Sequence, residues 1–128
     1  MIIYTSSNFQ FVCSTVNNSW YSAGTFIQIG TPIISNKYHV VCTYNGSRLK
    51  AYLNGALVST SATNISGNVN NSGFASQYTY AIMRDFGTAA GTIGYAKGNV
   101  YAHRVYNRAL SDAEVAQNFN ALRGRFGL

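Results

Sequence analysis

Charge is scarce in this 128-residue chain, and negative charge is scarcest. Charged residues make up 9% of the sequence, against about a quarter in an ordinary soluble domain. The acids are Asp85, Asp112 and Glu114 and no others. Chemistry that needs paired carboxylates, such as glycoside hydrolysis by an acid and a base or nucleophile, therefore has almost nothing to draw on. No run approaches the roughly 20 apolar residues of a membrane-spanning helix. Met1-Ile2-Ile3 is followed at once by polar residues, so no secretory leader is read at the start. The Asn-x-Ser sequons at Asn17, Asn45, Asn64 and Asn70 then carry little meaning in so Asn- and Ser-rich a chain. Cys13 and Cys42 are the only cysteines. They allow one disulfide between strands or two buried thiols of a protein made in a reducing cytoplasm. The second is favoured, because one pair is no disulfide framework.

What remains is Asn, Ser, Thr, Gly and 10 Tyr, with a single Pro. Disordered chains are aromatic-poor and highly charged, so this is a folded domain with uncharged polar faces. Residues 1–128 make one domain, long enough to bury a real core. The net charge is +6. The cations are scattered as Lys37, Arg48, Lys50, Arg84, Lys97, Arg104, Arg108, Arg123 and Arg125, and they form no phosphate track. Nucleic acid and membrane are accordingly not expected as partners. A basic C-terminal patch containing Arg123 and Arg125 is expected to face protein.

The stretch Tyr38–Ser61 is the most telling. It reads as three strands, Tyr38–Tyr44, Ser47–Leu53 and Ala56–Ser61, joined by turns at Asn45-Gly46 and Asn54-Gly55. Asn-Gly between extended apolar runs is a strong hairpin signal, because a type I′ turn needs positive φ at both central residues. Upstream, Ile2–Val16 predicts one or two strands, with Phe9, Phe11 and Cys13 on one face and Gln10, Val12 and Ser14 on the other. Trp20–Ile29 predicts another strand. Asn64–Gly73 reads as a polar loop, Gln77–Met83 as a strand, Gly87–Gly94 as a loop and Val100–Tyr106 as the closing strand. The fold class is all-β, an antiparallel jelly-roll-like sandwich with one short C-terminal α-helix.

That helix is announced by Ser111 as N-cap and Glu114 three residues on, a capping box. Leu110 and Val115 form a hydrophobic staple, and Val115, Phe119 and Leu122 share a face. Gly124 is expected to stop the helix. Asp112 and Glu114 suit the positive end of the helix dipole, which gives two of the three acids structural work.

No catalytic residues, cofactor site or metal site are expected. His39 and Cys42 lie three apart on a strand and point to opposite faces. A pairing of Cys42 with His103 has no third group to orient it. Two Cys and two His without close spacing make no zinc motif. Gly87–Gly94 lacks the Gly-Lys-Ser/Thr of a phosphate loop.

Two stretches carry a family resemblance. Tyr38-His39-Val40, Thr43-Tyr44-Asn45-Gly46 and Tyr52-Leu53-Asn54-Gly55 form the first. Gly98–Ser111, ending Tyr106-Asn107-Arg108-Ala109-Leu110-Ser111, forms the second. Together they resemble a laminin-G-like, concanavalin-A-like jelly-roll domain over Ile33–Leu122. The resemblance implies a β-sandwich, with the opening strands of such a domain missing. It also implies that a neighbour completes an exposed sheet edge, either another copy or a different subunit. The closing strand has Ala102 and His103 where many relatives carry Asp-Glu, so the calcium-dependent sugar site of such domains is not expected. The run Asn118–Gly127 resembles the endings of tailed-bacteriophage virion proteins.

Exposed aromatics beside amides are what a glycan needs, for stacking and for bonds to hydroxyls. Trp20, Tyr21, Tyr78, Tyr80 and Tyr95 are the candidates, and the same rings suit the core or a protein interface. These readings lead to a non-enzymatic virion structural protein, made in the host cytoplasm. It would be a decoration or cement protein contacting the major capsid or other virion proteins. The alternative is a carbohydrate-binding adhesin module.

Overall fold

The architecture was read from a computed structural model, which describes residues 2–4, 9–13, 15, 17, 24–31, 33, 35–69 and 98–128. Two three-stranded antiparallel sheets face one another. The first holds β1 (Ile2–Tyr4), β2 (Phe9–Val12) and β3 (Phe26–Gly30) in that order. The second holds β4 (Val40–Tyr44), β5 (Leu49–Leu53) and β6 (Ala56–Thr60). Helix α1 (Asp112–Phe126) follows.

The alternation of side chains along each strand builds the layers. On β3, Ile27 and Ile29 turn inward while Phe26 and Gln28 face out. They meet Leu49 and Ala51 of β5, with Cys13 and Ile65 completing the buried cluster and Phe9, Phe11, Val40, Cys42, Tyr44 and Leu53 around it. The other face of the second sheet is apolar as well. Val41 pairs across the ladder with Tyr52, and both pack under Leu110 and Val115. The second sheet is thus the middle layer, between the first sheet and the helix. Burying each large aliphatic side chain contributes about 1.5–3 kcal/mol, so both faces of this sheet stabilise the fold.

The two Asn-Gly turns differ. At Asn54-Gly55 both residues have positive φ, 50° and 82°, as a type I′ turn requires. Asn54 also closes the start of β4, because its Oδ1 accepts the His39 N–H at 2.9 Å and its N–H donates to the His39 carbonyl at 2.8 Å. At Asn45-Gly46 only the glycine has positive φ, 91°. The ladder ends at Tyr44 and Leu49, so four residues span the turn. The Asn45 Oδ1 accepts the Ser47 and Arg48 N–H groups at 3.0 and 2.8 Å, which stabilises this wider loop over the expected type I′ turn. A bulge between β5 and β6 leaves Val58 without a ladder partner on β5.

Three further expectations are corrected. The helix does not stop at Gly124. It runs to Phe126, and Gly127 takes the left-handed cap at φ 66° and ψ 46°, its N–H donating to the Arg123 carbonyl. Ile65, read as part of a polar loop, is buried in the main core, because its N–H bonds the Ser47 carbonyl at 2.8 Å and holds the loop against the sandwich. The Tyr44 hydroxyl donates to the Gly67 carbonyl and the Thr15 hydroxyl to that of Ser66, which pins the same loop to both sheets. Val100–Tyr106, read as the closing strand, forms no ladder with any described residue. It runs beside α1 instead, with Tyr101 against Phe126, Tyr106 against Asn118 and Arg108 against Glu114. The strand and loop read within residues 70–97 lie outside the described residues.

Candidate functional site

The start of α1 over β5 is a polar junction, crossed by an ion pair. Alternation puts Lys50 and Tyr52 on the helix side of β5. Capping then places Asp112 in the first helical turn directly above them. The Asp112 Oδ1 accepts both the Tyr52 hydroxyl at 2.7 Å and the Lys50 ammonium at 2.9 Å. These bonds, Lys50 first, hold the Asp112 carboxyl below its usual range. Burial and the bond to Asp112 push the Tyr52 phenol up.

Two residues on, Glu114 is engaged on every side. Arg108 donates two bonds to its carboxylate, at 2.9 and 2.5 Å, and the Ser111 N–H donates a third at 2.8 Å. The Arg108 pair and the Ser111 bonds depress its pKa to about 2. The Ser111 hydroxyl accepts the Glu114 N–H in return, which completes the capping box read from the sequence. Ser111→Ala is expected to cost about 1 kcal/mol of stability in urea unfolding, as loss of an N-cap does.

A pH dependence follows. The folded pKa of Glu114 is depressed, so its contribution is fully present above the unfolded value near 4.5 and is lost as pH falls toward about 2. Asp112, depressed in the same direction, adds to the loss. Urea midpoints should therefore fall over this window, and less steeply in Glu114→Gln. An equal slope in the variant would show that Glu114 is not the source.

Two shallow clefts flank the sandwich. One, of about 330 Å3, lies between β4, β5 and the helix start and includes Thr43, Asn45, Arg48, Lys50, Ser111 and Asp112. The other, of about 370 Å3, lies between β3 and the end of β6 and includes Phe26, Gln28, Ser59 and Thr63. Neither is lined by tyrosine or tryptophan. Among the described residues, no group of three or more His, Cys, Asp or Glu is placed to hold a metal ion. No described helix is long and apolar enough to cross a membrane.

His39 and Cys42 do lie on opposite faces. His39 stacks on Phe119 of α1 with ring centroids 5.8 Å apart, and its Nδ1 is buried without a hydrogen-bond partner among the described residues. Burial lowers its pKa, and Arg104 lowers it further. Cys42 faces the sandwich core, where burial raises its thiol to about 12. Burial raises Cys13 as well. Both cysteines are free thiols, and neither has the lowered pKa of a nucleophile.

Of the predicted contact residues, Arg123 and Arg125 are exposed in the last turn of α1, where cations suit the helix dipole. Trp20, Tyr21, Tyr78, Tyr80 and Tyr95 lie outside the described residues. Sequence reasoning missed the Lys50–Tyr52–Asp112 contact. The signal available was that Lys50 and Tyr52 share the β5 face that Val41 and Tyr52 make apolar.

A search of curated proteins finds no match. Among solved structures, the fold is similar to residues 221–444 of an S-layer domain-containing protein from Clostridium thermocellum ATCC 27405. The TM-score is 0.56 and the identity 23%, over 73% of this chain and 44% of that one. The chain thus spans less than half of that structure, and the likeness is one of fold. A laminin-G family, described as the concanavalin A-like lectin/glucanases superfamily, matches residues 2–116. The match begins well upstream of Ile33, so β1 to β3 belong to it too. Family and fold together fit a carbohydrate-binding or structural module. The chain belongs to the concanavalin A-like lectin/glucanases superfamily, as a laminin-G-type β-sandwich.

Proposed function

We propose that this chain is a non-enzymatic structural module of a virion, a decoration or cement protein that packs against neighbouring shell subunits. The observation that carries the non-enzymatic part is the engagement of the acids. Superfamily members that cleave glycosides need two carboxylates across a sugar-sized gap. Asp112 is held by Tyr52 and Lys50, and Glu114 by Arg108 and Ser111. Asp85 is the one acid left in the sequence, and one carboxylate cannot act as both partners.

Packing against neighbours is supported by the edges. Among the described residues β3 and β6 each end their sheet, and neither contains a charged residue or proline, the usual protection of an open edge. Leu57 and Val58 on β6 are 44% and 45% exposed. The virion assignment rests on the resemblance of Asn118–Gly127 to virion-protein endings. The similar fold described as an S-layer domain-containing protein accords with a structural role.

The test is made on particles. The protein is expected in many copies per virion, and particles lacking it should inactivate at lower temperature. Particles that stay equally robust to heat and pressure without it, but fail to adsorb to cells, would sink the cement reading.

The family's description as lectin-like favours a second reading, a carbohydrate-binding adhesin module. Binding on a glycan array that is lost on Tyr→Ala changes at Tyr21, Tyr78, Tyr80 or Tyr95 would establish it. No binding to any sugar, host polysaccharide included, would remove it.

A further inference from the structure

We propose that the C-terminal end of α1 is a docking face for an acidic segment of a partner protein, gripped by Lys37, Arg123 and Arg125 around the exposed ring of Tyr101. This names the partner chemistry of the structural-module reading and rests on it.

Among the described residues, charge is cancelled at one end of α1 and left uncancelled at the other. Two ion pairs occur, Lys50 with Asp112 and Arg108 with Glu114. Both sit at the start of α1. Arg48 is occupied by the Ser61 and Ala62 carbonyls. The other described cations, Lys37, Arg104, Arg123 and Arg125, make no ion pair with a described residue. Arg123 and Arg125 lie in the last turn of α1, and Lys37 reaches the same place, its ammonium donating to the Phe126 carbonyl at 2.8 Å. At 1.5 Å per residue, this end is roughly 20 Å from Asp112, beyond the Debye length of about 8 Å at physiological salt. The two described acids therefore do not neutralise it.

The aromatic groups make the patch a surface with shape. Tyr101 is 58% exposed. It lies 6.0 Å from the Phe126 ring, with the Lys37 ammonium 5.7 Å from its own centroid. Arg125 stacks over Phe126 at 5.5 Å. These contacts hold the long cationic side chains in place, which reduces the ordering cost of binding. The partial negative charge of the helix end is met by Lys37 and by the capping N–H of Gly127. The remaining Lys37 protons and both guanidinium groups are available to a carboxylate. Arg and Tyr together, next to the exposed Val100, are the composition of a protein interface. Three cations around one helix end do not follow a phosphate backbone, so protein is favoured over nucleic acid.

The test uses the full chain and a labelled peptide of alternating Glu and Asp, read by fluorescence anisotropy at low salt. The peptide is expected to bind and to be released as salt is raised. Arg123→Glu with Arg125→Glu should weaken it about tenfold or more, and Tyr101→Ala should weaken it less. Arg123→Gln with Arg125→Gln keeps helix propensity, and its melting curve guards against loss of fold. A control with the same charge change as this glutamine pair, Asn64→Glu with Asn68→Glu, should leave binding intact. The proposal falls if that control weakens binding as much as the glutamine pair does. It also falls if oligo-dT or phosphatidylserine vesicles bind more tightly than the peptide. Particles carrying the Arg→Glu variant at full occupancy would overturn the docking face and leave the structural module standing. Absence of the unaltered protein from particles would overturn the module while the peptide result stood.

Discussion

Replacing Tyr52 by alanine is expected to destabilise the fold by about 3–5 kcal/mol, the range for removing a large aromatic from a packed site. Tyr52 is the largest fully buried side chain among the described residues. It packs with Leu110, Val115 and Val41 between the middle sheet and the helix, and its hydroxyl donates to Asp112. Truncation leaves a cavity beneath α1 and takes a partner from the first helical turn. Tyr52→Phe separates the two effects. It keeps the ring and loses only the hydroxyl bond, so it should cost about 1 kcal/mol. Urea unfolding of both variants measures the difference. An alanine variant within about 1 kcal/mol of the phenylalanine variant would show that α1 does not depend on this ring.

Gly55→Ala should be nearly as damaging, for two reasons that can be separated. Gly55 sits at φ 82°, in the left-handed region where a Cβ costs about 1–2 kcal/mol. A Cβ there would also lie 2.8 Å from the Phe119 ring and 3.0 Å from its Cβ. Overpacking of this kind typically adds about 1–3 kcal/mol. Gly46 supplies the comparison. It has φ 91°, but a Cβ added there would meet nothing within 4 Å, so Gly46→Ala should show the backbone cost alone. Combining Gly55→Ala with Phe119→Ala should recover part of the loss in a double-mutant cycle. Strict additivity would rule out the contact between the β5–β6 turn and the helix as the source.

The same contact explains how much could be read in advance. Gly55 was legible as a turn residue, because Asn-Gly chemistry is local and type I′ geometry follows from it. That Phe119 closes over it, and that His39 stacks on the same ring, was not legible. The three residues come from a turn, a strand start and a helix, and no pattern within any one of them encodes the others. Asn45-Gly46 shows the limit at short range. The same dipeptide opens into a four-residue loop because its asparagine side chain bonds forward to Ser47 and Arg48. At the helix end, Gly124 was expected to cap, and it did not. The choice fell to Gly127, whose preceding turn is held by Lys37 on the Phe126 carbonyl, from 89 residues away.

From the sequence alone came the all-β class, the meander, the capping box and the want of carboxylates for catalysis. Each depends on neighbours in the chain or on a count, and needs no long-range partner. Only the tertiary structure decided that Ile65 enters the core, that β5 buries residues on both of its faces, and that Asp112 bonds Tyr52 from sixty residues away. It alone brought Lys37 and Tyr101 to the last turn of α1. Such contacts arise from how layers stack and where loops return, so they are set by the whole fold rather than by any local run of residues.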